Sequence, residues 1–141
     1  GRLVSFEHRH LEKMLALGMV PVIHGDVVMD LTRGACIVSG DQLVRYLALA
    51  LHITCVGLAT DVPGVLDGTC VVPKITRGTM PEIQIGNSKH TDVTGGMSGK
   101  LNELLELADA GIGSDIFHVS RTHDFLNGND HGGTHVRGER T

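Results

Sequence analysis

The segment from residue 92 to residue 100, Asp-Val-Thr-Gly-Gly-Met-Ser-Gly-Lys, has the residue types and spacing of a phosphate-binding loop. Adjacent glycines, Gly95 and Gly96, let the backbone approach a ligand closely and expose its N–H groups. The apolar repeat that follows predicts a helix whose N-terminus attracts anions, and Lys100 adds a full positive charge. The segment is not a Walker A loop, because Leu101 stands where Ser or Thr would hold magnesium. A glycine-rich turn with a solvated lysine is the alternative interpretation.

Three further polar segments follow apolar runs that are expected to form buried strands or a strand hairpin. They are residues 24–26, 39–41 and 60–64. Ligands of α/β sheets collect at the carboxyl ends of strands, so these segments are candidates for lining the same site. The simpler alternatives are structural: Ser39 or Asp41 would cap a helix, and residues 60–68 would form a plain turn.

Nine histidines raise the question of a metal site, with His123, His131 and His135 or His8 and His10 as the candidate sets. Neither set has the spacing of a zinc motif, so we expect no metal ligand among them. The three cysteines show no CxxC spacing, which indicates free thiols in a reducing compartment rather than a disulfide framework. No GxSxG elbow is present, so nucleophilic catalysis is not expected.

The composition is that of a globular protein: 41% of the 141 residues are hydrophobic and 20% are charged. A net charge of -4 with scattered basic residues argues against a nucleic-acid partner. No apolar run approaches the roughly 20 residues of a membrane span, and no signal-peptide pattern opens the chain. We therefore expect a cytoplasmic protein with no membrane partner.

Apolar periodicity predicts alternating helices and strands. Helices are expected at 7–18, 41–51 and 101–108, a buried strand at 20–23 leading into a hairpin that ends near 38, and strands at 56–59, 71–72, 83–85, 116–119 and 134–136. This alternation indicates an α/β fold with a mostly parallel sheet covered on both faces. A chain that opens directly on a helix, without Met, suggests a fragment of a longer fold.

Four segments, in this order, resemble the amino acid kinase superfamily: VPVIHGDVV at 20–28, SGDQL at 39–43, ATDVPGV at 59–65 and the glycine loop at 92–100. Within the superfamily they are most similar to the isopentenyl phosphate kinases. The resemblance runs from about residue 11 to residue 136 and implies a three-layer α/β/α sandwich with a mostly parallel sheet. Residues 1–141 then form a single partial domain, the C-terminal nucleotide-binding half. The family's N-terminal half has no counterpart here, so this chain is expected to be incomplete for catalysis.

The resemblance also implies roles for individual residues. Lys100 would contact the phosphates of ATP and, with Asp41 as an organising carboxylate, support catalysis. The ATP site would further include Thr60, Asp61, Gly95 and Gly96, and the acceptor site Gly40, Gly25 and Asp26. ATP and Mg²⁺ are the implied cofactors, and the full-length protein is expected to be a homodimer. Pro63 stands where the family usually has Asp, which leaves the detail of that nucleotide loop open.

The implied reaction transfers the γ-phosphoryl group of ATP to isopentenyl phosphate and gives isopentenyl diphosphate, a step of isoprenoid biosynthesis. Other members of the superfamily, such as uridylate kinase or a phosphonate-antibiotic kinase, are the alternative enzymes. A non-catalytic nucleotide-binding module on the same fold is the alternative outside enzymology. The pairing of Lys100 with Asp41 favours catalysis, because a simple binder has no need of an organised charge pair.

Overall fold

The computed structural model of the chain describes residues 2–80 and 96–139, which fall into two compact units. Unit 1 is Gly1–Ile53 and unit 2 is Thr54–Thr141. Unit 1 contains α1 (Arg9–Ala16), β1 (Asp26–Asp30), β2 (Gly34–Val38) and α2 (Gly40–Ala50). Unit 2 contains β3 (Cys55–Thr60), β4 (Leu66–Asp67), β5 (Cys70–Val71), β6 (Lys74–Ile75), α3 (Gly96–Asp109), β7 (Gly113–His118), α4 (Thr122–Leu126) and β8 (Thr134–Val136).

The predicted hairpin of unit 1 is confirmed. Strands β1 and β2 pair antiparallel, with Asp26 opposite Val38. Asp30 closes the turn, since its Oδ1 accepts hydrogen bonds from the Thr32 hydroxyl at 2.7 Å, the Thr32 N–H at 2.8 Å and the Arg33 N–H at 3.0 Å. The hydroxyl and N–H of Thr32 hold the pKa of Asp30 well below its usual range, so the carboxylate that closes the turn is ionised at neutral pH.

Helix α2 begins where its sequence predicted. Ser39 is the N-cap, and its hydroxyl oxygen accepts the N–H of Gln42 at 3.2 Å. The hydrophobic side of the helix buries Leu43 and Ala48, five residues apart. Of the two capping residues considered, Ser39 takes the role, so Asp41 is not required as the cap of this helix.

The buried strand expected at residues 20–23 is not present, and that prediction was wrong. Val20 and Val22 are 86% and 91% exposed, and the segment has no regular secondary structure. A strand needs a neighbour to satisfy its backbone N–H and C=O groups, and β1 and β2 of unit 1 pair with each other. An apolar run alone therefore does not make a strand here.

The main sheet lies in unit 2, in the order β3-β7-β8-β6. Strands β3 and β7 are parallel, as are β8 and β6, whereas β7 and β8 are antiparallel. The expected α/β fold with a mostly parallel sheet is confirmed. Strand β6 and helix α4 were not predicted, because each is too short to show a period, and the strand expected at 83–85 lies outside the described residues.

One face of this sheet packs against α3. Gly138 lies on this face, and a Cβ added to it would come within 2.9 Å of the Ala108 carbonyl oxygen at the end of α3. The buried side chains at this interface are Ser114, Ile116, Thr134 and Val136 from the strands and Leu101, Leu104, Leu105 and Leu107 from the helix, none more than 1% exposed. Within the described ranges, no helix is long and apolar enough to span a bilayer.

The opposite face carries aromatic rings and charges. Phe117 of β7 stacks on Phe125 of α4 with ring centroids 4.8 Å apart. The Phe125 ring lies directly over Gly57 of β3, where an added Cβ would be 2.5 Å from Cε1. The short helix α4 therefore reaches the sheet only because β3 has no side chain at residue 57.

Replacing Gly133 with alanine is expected to destabilise the protein by about 2–3 kcal/mol, because the new Cβ would collide with the Ile116 carbonyl oxygen and lie 3.0 Å from the Phe117 Cβ. Gly132→Ala is the matched control. Gly132 has φ +66° but open space around it, so its cost is the left-handed backbone alone, about 1 kcal/mol. Urea unfolding of the complete protein measures both, and equal losses would contradict the packing described here.

Candidate functional site

Helix α3 and the carboxyl ends of two parallel strands meet at one edge of the unit 2 sheet. Only three residues join Asp109 to Gly113, so the chain folds straight back from α3 into β7. The helix has 14 residues and spans about 21 Å, close to the length of a six-residue strand. The N-terminus of α3 therefore lies at the edge where β3 and β7 end.

Thr60 is the last residue of β3 and fixes the loop that leaves it. Its hydroxyl donates to the Val62 carbonyl at 2.8 Å and lies 3.3 Å from the Phe117 carbonyl on β7. Further along the loop, the N–H of Val65 donates to the buried Thr134 hydroxyl at 2.8 Å. The anchors thus lie on either side of Pro63, the position at which this sequence departs from the family pattern.

The predicted nucleotide residues of unit 2 share this edge. Asp61 is exposed immediately after Thr60, while Gly96 begins α3 and Lys100 lies one turn further along it, half-buried. The first N–H groups of a helix have no partner within the helix, so this end of α3 carries donors and a positive dipole. Gly95, the other glycine of the loop, lies outside the described residues.

The predicted acceptor-side residues are brought together within unit 1. A Cβ added to Gly25 would collide with the Val38 carbonyl oxygen and lie 3.0 Å from the N of Gly40. The hairpin register explains this contact, since it places Asp26 opposite Val38, two residues before α2 begins. Asp41 follows in the first turn of α2 and is half-buried. The expectation that Lys100 faces Asp41 joins the two units and stays a prediction.

A histidine cluster does form, but with a different membership from the one considered. Among residues 2–80 and 96–139, Asp115, His131 and His135 place one nitrogen or oxygen atom each within 4.8 Å of one another. His123 is not a member and is exposed on α4. This cluster was hard to recognise in the sequence, because Asp115 lies on a strand 16 residues before His131 and forms no short motif with it.

The hydrogen bonds of this cluster are those of an ion-pair network. Asp115 Oδ1 is 2.7 Å from Arg137 and 2.7 Å from His135 Nδ1, so cationic and imidazole donors surround a carboxylate that is 9% exposed. The N–H of Gly133 donates to His131 Nδ1 at 3.1 Å, so the neutral ring carries its proton on Nε2, 3.7 Å from Asp115 Oδ2. A metal-bound histidine normally donates from its other nitrogen, whereas His131 accepts there.

His118 belongs to the candidate site and was missed by sequence reasoning. It is the last residue of β7 and pairs directly with Thr60 of β3. The two residues are 58 positions apart in the chain, so only the strand register brings them together. A histidine at a predicted strand end, next to a second predicted strand end, is the signal that would have found it.

Comparison with known proteins identifies one family. The sequence profile described as the Amino acid kinase family matches residues 1–118. An isopentenyl phosphate kinase from Haloferax volcanii is 45% identical over 129 residues, 91% of this chain and 50% of that protein. An isopentenyl phosphate kinase from Methanothermobacter thermautotrophicus is 37% identical over 128 residues, 85% of this chain and 48% of that protein. An acetylglutamate kinase from Rubrobacter xylanophilus is more distant. It is 34% identical over 122 residues, 86% of this chain and 46% of that protein.

Solved structures agree in fold. An X-ray structure of isopentenyl phosphate kinase superposes with a TM-score of 0.77 at 30% identity, over 96% of this chain and 52% of that chain. A product complex of T. acidophilum isopentenyl phosphate kinase superposes with a TM-score of 0.71 at 19% identity, over 97% of this chain and 56% of that chain. At this identity the likeness shows the fold alone. The chain spans about half the length of the relatives it matches.

Removing the Arg137 side chain is expected to cost about 3 kcal/mol of unfolding free energy, because Arg137→Leu leaves the buried Asp115 carboxylate without its cation. Arg137 also donates to the Ser114 carbonyl at 2.6 Å, and that bond would be lost as well. Arg77→Leu is the matched control, since Arg77 and Asp109 form an ion pair with side chains 53% and 55% exposed. Its loss is expected to cost less than about 1 kcal/mol. Similar urea midpoints for the two variants would contradict the network.

Proposed function

The chain belongs to the amino acid kinase family, and from that premise we propose that it is the C-terminal, nucleotide-binding half of an ATP-dependent isopentenyl phosphate kinase. The 45% identity to the Haloferax volcanii enzyme over 91% of this chain is the observation that carries the proposal. The complete protein would transfer the γ-phosphoryl group of ATP to isopentenyl phosphate, forming isopentenyl diphosphate for isoprenoid biosynthesis. A cytoplasmic homodimer belongs to the same proposal, and light scattering of the complete protein tests the dimer.

Positioning and charge are what this reaction needs from the protein. An acceptor that is already a phosphate monoester is ionised near neutral pH, so its oxygen attacks without a general base. The protein has to hold two anions in line and offset the charge that spreads over the transferring group. The side chains of lysine and aspartate and the exposed backbone of glycine serve those purposes, and these are the residue types found at the predicted positions.

The donors of unit 2 form the nucleotide side of the proposal. The N-terminus of α3 supplies backbone N–H groups from Gly96 onwards, and Lys100 adds a charge one turn into the same helix. Lys100 is half-buried, near the start of the helix. Thr60 and Asp61 border the same edge, where the ribose or the phosphates would lie.

The residues of unit 1 form the acceptor side. Gly25 lies against the backbone that enters α2, and the space where a Cβ of Gly40 would lie is open within 4 Å. Because Gly40 has no side chain, the phosphate of the acceptor would approach the backbone N–H groups at the start of α2 closely. Asp41, in that first turn, would orient Lys100 and the other donors during transfer.

The described donor set is compatible with Mg²⁺. Magnesium prefers oxygen ligands, keeps several waters and is held by one or two carboxylates together with the phosphates of the substrate. Asp61 presents an exposed carboxylate at the edge where the phosphates would lie, and Asp41 is the second candidate. When bound, Mg²⁺ would neutralise charge on the β- and γ-phosphates.

The acceptor is tested by measuring ADP release from the complete protein with ATP, Mg²⁺ and one acceptor at a time. We expect kcat/KM to be at least about a hundredfold higher for isopentenyl phosphate than for N-acetylglutamate or uridine monophosphate. Preferential turnover of either of the others would overturn the assignment of the acceptor. Nucleotide binding without any transfer would instead support a binding module.

Lys100→Ala is expected to lower kcat about a hundredfold while weakening ATP binding far less, because its charge matters most as the γ-phosphoryl group moves. Lys100→Arg is expected to recover little, since a planar guanidinium does not replace a compact ammonium. Lys13→Ala, in the exposed helix α1, is the control for loss of a lysine. Steady-state kinetics with isopentenyl phosphate give both parameters, and near-normal turnover of Lys100→Ala would reduce the loop to a glycine-rich turn.

Asp41→Asn and Ser39→Ala separate catalysis from helix capping. Ser39 makes the capping bond, so Ser39→Ala is expected to cost about 1 kcal/mol of stability. Asp41→Asn is expected to leave the unfolding free energy nearly unchanged and to lower kcat at least tenfold. Urea unfolding and steady-state kinetics of both variants decide the matter. If Asp41→Asn lost stability and kept its turnover, Asp41 would be a structural residue.

A further inference from the structure

His118 lies beside Thr60 at the edge where the strands of unit 2 end. The two residues are register partners on parallel strands, and each is the last residue of its strand. Adjacent strands are about 4.8 Å apart, and paired residues of parallel strands point to the same face. His118 is half-buried, so its ring lies at this edge without being enclosed in the core.

The hydrogen bonds of the imidazole leave one nitrogen as a donor. The backbone N–H of Ser120 donates to His118 Nδ1 at 3.3 Å, and the Ser120 hydroxyl lies 2.8 Å from the same nitrogen. Because Nδ1 accepts a hydrogen bond from a backbone N–H, the neutral ring carries its proton on Nε2. The 3-10 turn at Val119–Arg121 therefore holds the ring while Nε2–H stays on its opposite side.

We propose that His118 is a nucleotide-binding residue whose Nε2–H donates a hydrogen bond to a phosphate or ribose oxygen of the bound nucleotide. This proposal rests on the proposed function and extends the nucleotide site by one strand beyond Thr60. The N-terminus of α3 lies at the same edge and favours an anion there. A ligand that lies across the ends of β3 and β7 passes both residues.

Two substitutions of His118 separate ligand binding from a structural role. One keeps the hydrogen-bond acceptor at the place of Nδ1, and the other keeps the donor at the place of Nε2. In His118→Asn, the amide oxygen stands close to the place of Nδ1 and still accepts the N–H of Ser120. In His118→Gln, the amide NH₂ group reaches toward the place of Nε2 and still donates to a ligand. Calorimetric titration of the complete protein with AMP-PNP and Mg²⁺ measures the dissociation constant for each variant.

The proposal expects His118→Asn and His118→Ala to weaken AMP-PNP binding about tenfold, and His118→Gln to stay within about threefold of the parent. The KM for isopentenyl phosphate is expected to stay unchanged in all three. His123→Ala is the matched control, because His123 is exposed on α4. Ser120→Ala, which removes the hydroxyl on Nδ1 but keeps the backbone donor, is expected to change binding less than twofold.

Titration with inorganic triphosphate locates the acceptor oxygen. A loss in the Asn variant for both triphosphate and AMP-PNP supports a bond to phosphate, and a loss for AMP-PNP alone supports a bond to ribose. If His118→Asn kept the AMP-PNP affinity of the parent and His118→Gln did not, the proposal would be overturned, and His118 would be only the cap of the 3-10 turn. Unchanged AMP-PNP affinity in all variants would also overturn it, with the proposed function intact. A parent protein that does not bind AMP-PNP would overturn both.

Discussion

Because β3 and β7 pair in parallel, the chain that leaves β3 at Thr60 must return along the whole sheet before β7 can begin at Gly113. A tight turn cannot make that connection, so a helix of matching length has to. Helix α3 fills this role, and its packing on the sheet fixes where its N-terminus lies. The common edge of Thr60, His118 and the start of α3 is therefore a consequence of strand direction, not of any single contact.

The two faces of the unit 2 sheet differ in what they bury: one is mainly apolar, and the other holds a buried carboxylate. The face under α3 is covered by the leucines of that helix, which pack on branched side chains of the sheet. On this face the Thr134 hydroxyl accepts a hydrogen bond from the N–H of Val65, in the loop after β3. The other face holds Asp115, a carboxylate that burial would disfavour if it had no donors. His135 lies on β8, the antiparallel neighbour of β7, and Arg137 directly follows that strand, so the ion-pair network also ties β8 to β7.

Unit 1 depends on close backbone approach. Asp30 accepts the hydrogen bonds that close the turn of the hairpin. The register places Asp26 opposite Val38, and Gly25 then lies against the chain that enters α2. No residue with a side chain fits at position 25, since its Cβ would collide with the backbone. Glycine is common throughout this sequence, but at this position the reason for it is steric.

The sequence alone determined the features that depend on local order. The spacing of the leucines predicted helices α2 and α3, and Ser39 predicted the start of α2. The turn residues around Asp30 predicted the hairpin. The resemblance of four segments gave the family, and with it the proposed roles of Lys100 and Asp41. The tertiary structure decided what depends on distant pairing: the antiparallel direction of β8, the union of Asp115 with His131 and His135, and the neighbourhood of His118 and Thr60. It also left residues 20–23 without a strand, because an apolar run becomes one only where another strand offers its hydrogen bonds.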